Sequence, residues 1–171
     1  MPDARVDTRL VGNRRRARLQ ALDDLEAEVE RLTVAAAEGR VRALGNWSPA
    51  QGLWHLARFM ELSIDGFPFR YRRGPAWLLR RVRLVGWRWL IMLAFRPGFT
   101  NPPEAAVLEP HPALSLADAA PFLRQQIARI RGGEQMTRAC SAEGPYSHEQ
   151  WLYIHLRHAE LHLGFLAIEA D

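Results

Sequence analysis

The chain has 171 residues, of which 48% are apolar and 25% are charged, a composition typical of a globular domain. Its single cysteine, Cys140, excludes an internal disulfide and a cysteine-based zinc site, and it favours a reducing compartment. The 23 basic residues are all arginine and face 19 acids, so the net charge of +4 gives little reason to expect a nucleic-acid partner.

The N-terminal residues contain arginines but no apolar segment of the kind found in secretory signals. We therefore expect a cytoplasmic protein that forms one domain over residues 1–171, with residues 1–12 flexible. A first helix is predicted over about residues 13–37. Apolar residues recur there at steps of three and four, namely Leu22, Leu25, Val29, Leu32 and Ala36. The run RRRAR (14–18) is interpreted as the solvated start of this helix.

The second helix is marked by a capping box. Ser48 is a favourable N-cap, Pro49 suits the first turn, and Gln51 completes the Ser-x-x-Gln pattern. The helix is predicted to run to Asp65 and to end at Gly66.

A long crossover follows, with an apolar run between residues 74 and 99. Four arginines interrupt this run and make a membrane span unfavourable, namely Arg80, Arg81, Arg83 and Arg88. One helical face collects the apolar side chains Leu78, Val82, Val85, Trp89 and Met92. We predict an extra amphipathic helix, or two short ones, packed on the other helices. Contact with a membrane surface is the less favoured alternative.

The third and fourth helices complete the predicted set. The third carries a stripe of apolar residues and ends at Gly132–Gly133, with Pro121 in its first turns; the stripe is Leu116, Ala120, Leu123, Ile127 and Ile130. The fourth begins at a second capping box, Ser147 to Gln150, and is predicted to continue to about Ile168. No segment alternates with period two for long enough to predict a strand. The expected fold is therefore all-α, a four-helix bundle with a long crossover between helices 2 and 3.

The fourth helix contains the stretch HLRHAELHLGF (155–165). At about 100° per residue, His155, His158 and His162 fall within one narrow arc, flanked by apolar side chains. Glu160 lies on the far side of the helix. Three buried imidazoles on one face each need a polar partner, and a divalent metal ion can supply one.

The spacing distinguishes among these histidines. His158 and His162 stand at i and i+4, which allows two imidazoles on adjacent turns to bind one ion. His155 is two turns from His162, and we place it in a second shell or in the pocket wall. Glu160 points away from both proposed ligands, so it cannot act as the general base of a zinc protease H-E-x-x-H motif.

Two histidines leave a metal site incomplete. His55, on the second helix near Phe59 and Leu62, is the best candidate for a third ligand. Three histidines from two helices, with one position open, are typical of a catalytic rather than a structural metal site.

The segments GNWSPAQGLWHLARFMELSIDGFP (45–68) and EQWLYIHLRHAELHLGFL (149–166) resemble the DinB-like (YfiT-like) superfamily of metal-binding four-helix bundles. In that superfamily one histidine comes from the second helix and an H-x-x-x-H pair from the last. The matching positions here are His55, His158 and His162. More specifically, the chain resembles an uncharacterised branch of that superfamily.

The resemblance implies a zinc or nickel site, and often a homodimer. Characterised members include transferases that use low-molecular-weight thiols, such as bacillithiol or mycothiol, as well as metal-dependent hydrolases and isomerases. Members of this branch often have a His-Pro turn before helix four. Here that stretch reads ACSAEGPYSHEQW (139–151), and His148, in the first turn of the helix, is not an obvious substitute.

These observations predict a metal-dependent enzyme that acts on a small molecule, a hydrolase or a thiol-dependent transferase. The ion would lower the pKa of a bound water or thiol. Residues 66–75 and 95–104 are candidates for the mouth of the pocket. Their arginines would favour an anionic substrate or thiol, and these arginines are Arg70, Arg72, Arg73 and Arg96. Exposed loop arginines without a ligand are an equally good interpretation. The alternative function is a metal-binding or regulatory bundle without turnover.

Overall fold

The computed structural model describes residues 5–69, 86–89, 91–92, 95–98, 100–101, 103–138 and 146–169. Within them the chain is mostly helical. Four helices of 16 or 17 residues are α1 (Leu22–Ala37), α2 (Pro49–Asp65), α3 (Leu116–Arg131) and α4 (His148–Leu163). Shorter elements are the 3-10 helices Thr8–Leu10 and Pro103–Leu108 and the strands β1 (Val41–Ala43) and β2 (Leu166–Ile168).

Helix α2 lies at the centre of the helix packing. It contacts α3 most extensively and also α4, while α1 packs against α3 and α4. The apolar stripes of the four helices meet in one core, which includes the fully buried Leu25, Leu32, Leu53, Leu56, Met60, Leu123, Ile127, Trp151 and Ile154. Burial of each large side chain contributes about 1.5–3 kcal/mol. The core therefore holds α2 and α4, the two helices that carry the histidines, in fixed relative positions.

Both predicted capping boxes are present. Ser48 Oγ accepts from the Gln51 backbone N–H at 3.2 Å, and Gln51 Oε1 accepts from the Ser48 N–H at 2.9 Å. Ser147 and Gln150 make the same reciprocal pair at 3.2 and 3.0 Å. These bonds satisfy backbone donors that have no partner within the helix, and they set the starting points of α2 and α4.

The prediction that the first helix starts near residue 13 is wrong. Helix α1 begins at Leu22, because the Asp24 carboxylate accepts from the backbone N–H groups of Gln20 and Ala21 and caps the helix there. Residues 14–20 are non-helical and lie along α4. The backbone N–H of Leu19 donates to the Glu160 carboxylate, and the backbone N–H of Arg15 donates to the Gly164 carbonyl. Contacts with a distant helix thus replace the local helix.

The predicted continuation of the fourth helix to Ile168 is also wrong, as is the expectation of no strand. Helix α4 ends at Leu163, and β2 pairs antiparallel with β1, Val41 opposite Ile168 and Ala43 opposite Leu166. Gly164 makes the turn where the Arg15 backbone crosses. A Cβ on Gly164 would lie 2.9 Å from the carbonyl oxygens of Arg15 and Glu160.

The crossover differs from its prediction in part. Residues 86–89 and 91–92 are helical, but Ile91 is buried whereas Trp89 and Met92 are more than 60% exposed. The prediction that Trp89 and Met92 pack on the other helices is therefore wrong. The helix turns the neighbouring face, which carries Ile91, toward the core. Leu78, Val82 and Val85 lie outside the described residues. In the described part of the chain, no helix is long and apolar enough to cross a membrane.

Candidate metal centre

His55 is held in one orientation by a backbone carbonyl. The residue lies in the middle of α2 and its ring is buried. Its Nδ1 lies 2.8 Å from the carbonyl oxygen of Leu108. A carbonyl only accepts, so Nδ1 carries the proton and Nε2 of the neutral ring has a free lone pair. The 3-10 helix Pro103–Leu108 thus fixes the tautomer of His55, as second-shell acceptors commonly do for metal-binding histidines.

The lone pair of His55 points at the histidines of α4. His158 Nε2 lies 3.2 Å from His55 Nε2 and 2.9 Å from His162 Nε2. The ligand atoms of these three residues all lie within 4.8 Å of one another. A tetrahedral zinc ion with Zn–N bonds of about 2.0–2.1 Å separates its ligand nitrogens by about 3.3 Å. The separation of 3.2 Å is close to that value, and the separation of 2.9 Å is somewhat shorter.

Burial keeps these imidazoles neutral. It lowers the pKa of His55, although the Leu108 carbonyl and the Glu109 carboxylate act in the opposite direction. Burial also lowers the pKa of His158 and of His162 well below the ordinary value, and neighbouring imidazoles add to the effect. Neutral imidazole is the form that binds metal ions.

The arrangement fits a cation better than it fits a proton. A neutral His158 has one N–H and can donate a hydrogen bond to only one of the two nitrogens beside its Nε2, those of His55 and His162. Its Nδ1 is buried and has no hydrogen-bond partner among the described residues. A divalent ion between the three Nε2 atoms would remove the repulsion between their lone pairs. The three histidines, two of them buried and one partly exposed, can therefore form a metal site here.

His155 does not belong to this cluster. Its Nε2 lies 3.0 Å from Ser63 Oγ, and Ser63 in turn donates to the Met60 carbonyl at 2.6 Å. His155 Nε2–H is thus the donor to Ser63, and the buried ring stacks on Trp151 with centroids 5.5 Å apart. Burial lowers the pKa of His155 to about 3. His155 thus makes a packing contact between α4 and α2, and its place in a second shell or in the pocket wall stays a prediction.

The remaining polar residues discussed from the sequence lie apart from the histidine cluster or outside the described residues. Glu160 faces away from the cluster, where it accepts from Leu19 N at 2.7 Å and pairs with Arg157 at 2.8 Å. Arg96 is exposed, whereas Arg70, Arg72, Arg73 and Cys140 lie outside the described residues. His148 accepts from the Met136 backbone N–H and is not part of the cluster.

Aromatic rings surround the three histidines, and sequence reasoning did not identify them as site residues. Trp47 stacks on His162, with centroids 5.1 Å apart and planes at 14°. Phe95 stacks on His158 at 4.7 Å and 21°, and Phe59 meets the same ring edge-on at 4.9 Å. The only local signal for Trp47 is its position directly before the N-cap of the helix that carries His55.

Fold and site together define a mostly helical protein with a buried cluster of three histidines able to hold a divalent metal ion. The family described as "Protein of unknown function (DUF1569)" matches residues 12–169, so the chain belongs to this family. Comparisons with curated proteins and with solved structures gave no match.

Proposed function

We propose that this protein is a metal-dependent enzyme whose divalent ion, zinc or nickel, is bound by His55, His158 and His162. The observation that carries the proposal is the approach of three neutral imidazole nitrogens, from two helices, to separations suited to one ion. We also propose a DinB-like four-helix bundle with a long crossover. Its support is the helix order and the positions of the three histidines.

The protein's own groups would prepare the site in three ways. The Leu108 carbonyl orients His55, the capping box at Ser147 sets the start of α4, and burial keeps the imidazoles neutral. When bound, a divalent ion with an open position supplies Lewis acidity and lowers the pKa of a water or thiol beside it. Metal-dependent hydrolysis and transfer to or from a low-molecular-weight thiol both use that chemistry. They are the two reaction types we propose for a small-molecule substrate.

The alternative is a bundle that binds metal without turnover. One observation favours it: in the part of the chain that the structure describes, the cluster of possible ligands consists of three histidines and includes no carboxylate that could also serve as a general base. A thiol-dependent transfer needs such a base less than hydrolysis does, because a metal-bound thiol is readily deprotonated. Of the two enzymatic proposals, transfer is therefore better supported by the described residues.

Metal analysis of the untagged protein tests the site. Expressed in medium with zinc and nickel, the protein is expected to carry close to one equivalent of metal per chain. The variants His55→Ala, His158→Ala and His162→Ala should each lose it. His111→Ala is the matched control, because this exposed histidine lies in the turn before α3, outside the cluster. Metal content unchanged in the three site variants would disprove the proposal.

Turnover separates the enzyme from the metal-binding alternative. The metal-loaded protein is incubated with a panel of activated esters and amides, and with electrophiles plus a small thiol. An enzyme should give rates that disappear in His158→Ala and after chelation but persist in His111→Ala. Stoichiometric metal without any such rate would favour the non-catalytic bundle. Size-exclusion chromatography with light scattering tests the homodimer, which we propose from the resemblance to DinB-like proteins.

A further inference from the structure

Of the three histidines in the cluster, one has part of its surface exposed to solvent. His55 and His158 are buried, at 3% and 6% exposed, whereas His162 is partly exposed. The solvent-accessible side of the cluster is therefore the side of His162. Three histidine ligands leave one position of a tetrahedral ion free for a small molecule.

Trp47 lies on this side of the cluster. Its partly exposed indole stacks on His162 and also lies 4.7 Å from the His55 ring, so it touches the partly exposed histidine and a buried one. Ser48, the next residue, is locked in the capping box of α2. That bond restrains the backbone on one side of Trp47, and the two imidazoles restrain its ring.

A second partly exposed ring, Phe95, stacks on His158. All three imidazoles are thus in contact with aromatic rings, and no described carboxylate joins them. Aromatic faces attract flat apolar groups through offset stacking and edge contacts, in addition to the burial of apolar area. The ring contacts described around the three imidazoles are therefore aromatic faces and edges.

We propose that Trp47 is a specificity-determining residue that selects ligands with an aromatic group next to their metal-binding head. The substrate class is then an aryl compound with an oxygen or sulfur donor, bound to the ion by that donor and held by its ring against the indole. This inference rests on the proposed metal site and names the kind of molecule that the site receives.

A pair of probes tests the inference on the cobalt-loaded protein. Acetohydroxamate and benzohydroxamate share the metal-binding head and differ in the ring. Their dissociation constants follow from the visible spectrum of the cobalt ion. The wild-type protein should prefer benzohydroxamate, and Trp47→Leu should reduce this preference about three- to tenfold. Trp47→Phe should keep most of it. Trp89→Ala, which removes an exposed indole of the crossover, should leave it unchanged.

The outcomes separate the two proposals. If cobalt does not bind, the proposed metal site is wrong. If cobalt binds and Trp47→Leu has the same preference as the wild-type protein, the site stands and the role of Trp47 is disproved. Fluorescence adds a measurement that does not need the leucine variant to fold. Benzohydroxamate should change the emission of the wild-type protein but not that of Trp47→Phe, and equal changes in both proteins would overturn the inference.

Discussion

Two levels of helix α4 hold buried histidines with lowered pKa values, yet they are built differently. At the first level, His155 donates to the hydroxyl of Ser63 and its Nε2–H is satisfied. At the second, one to two turns further on, His158 and His162 face each other and His55, and the cluster that these described residues form includes no carboxylate. A buried imidazole with a neutral partner is a packing element. Imidazoles whose lone pairs converge can form a metal site.

The largest effect expected from this contrast is stabilisation by metal. A ligand that binds only the folded state at 1,000 times its dissociation constant stabilises that state by about 4 kcal/mol. We expect zinc or nickel to produce such a shift in wild-type protein and in His155→Ala, and to produce none in His158→Ala. Thermal unfolding of each variant with metal and with chelator measures it. Loss of the shift in His155→Ala would place that residue in the metal site after all.

In metal-free protein, His155→Ala should lower the stability more than His158→Ala does. His155→Ala removes a fully enclosed ring that contacts Trp151 and Phe59, together with its bond to Ser63. We expect it to lower the free energy of unfolding by about 2–4 kcal/mol. His158→Ala should have a smaller effect, because it also removes lone-pair repulsion and an unpaired buried nitrogen. Urea unfolding with chelator present provides the comparison, and a larger loss in His158→Ala would contradict it.

The pH dependence of metal-free stability follows from the lowered histidine pKa values. Above about pH 6.5, the histidines are neutral in both folded and unfolded chains, so they add no slope. Below it the unfolded chain takes up protons that the folded protein excludes. Stability should then fall by about 1.4 kcal/mol per pH unit for each such histidine.

Urea unfolding between pH 7 and 5 tests this slope, since carboxylates titrate mainly below that range. His155→Gln should reduce the slope by the share of one histidine. Saturating metal should raise the stability at every pH without moving the onset of the fall, because the pKa of histidine in the unfolded chain sets that onset. A flat profile would mean that the imidazoles are protonated in the folded state.

The smallest effect is expected from the partner of His155. Ser63→Ala removes the acceptor for the imidazole N–H and should cost about 1–2 kcal/mol of stability. Metal affinity should not change. The double variant with His155→Ala completes a mutant cycle, and it should cost less than the two single changes added together. Strict additivity would show that the hydroxyl and the imidazole do not interact.

Much of the helical framework could be predicted because its signals are local. The boxes Ser48–Gln51 and Ser147–Gln150 act through hydrogen bonds between residues three apart, and α2 and α4 begin where those patterns place them. The wrong boundaries lie where a distant segment competes. Residues 13–21 have a pattern compatible with a helix, but their backbone is held by Glu160 and Gly164 of another part of the chain.

The candidate site divides in the same way. Helical periodicity placed His158 and His162 on one inward face and Glu160 on the other, since side-chain direction along a helix depends only on residue spacing. The role of His155 depended on Ser63, and the surroundings of the cluster depended on Trp47, Phe95 and the Leu108 carbonyl. None of these contacts follows from spacing within α4.

The sequence by itself therefore determined the helical class, the starts of α2 and α4 and the direction of the histidines on α4, because these follow from hydrogen bonds and angles over a few residues. Only the tertiary structure decided that His55 meets His158 across 103 residues of chain, that His155 meets Ser63 instead, and that Gly164 ends the last helix. Those outcomes depend on how helices and loops pack, where each buried polar atom takes whichever partner the rest of the fold brings within reach.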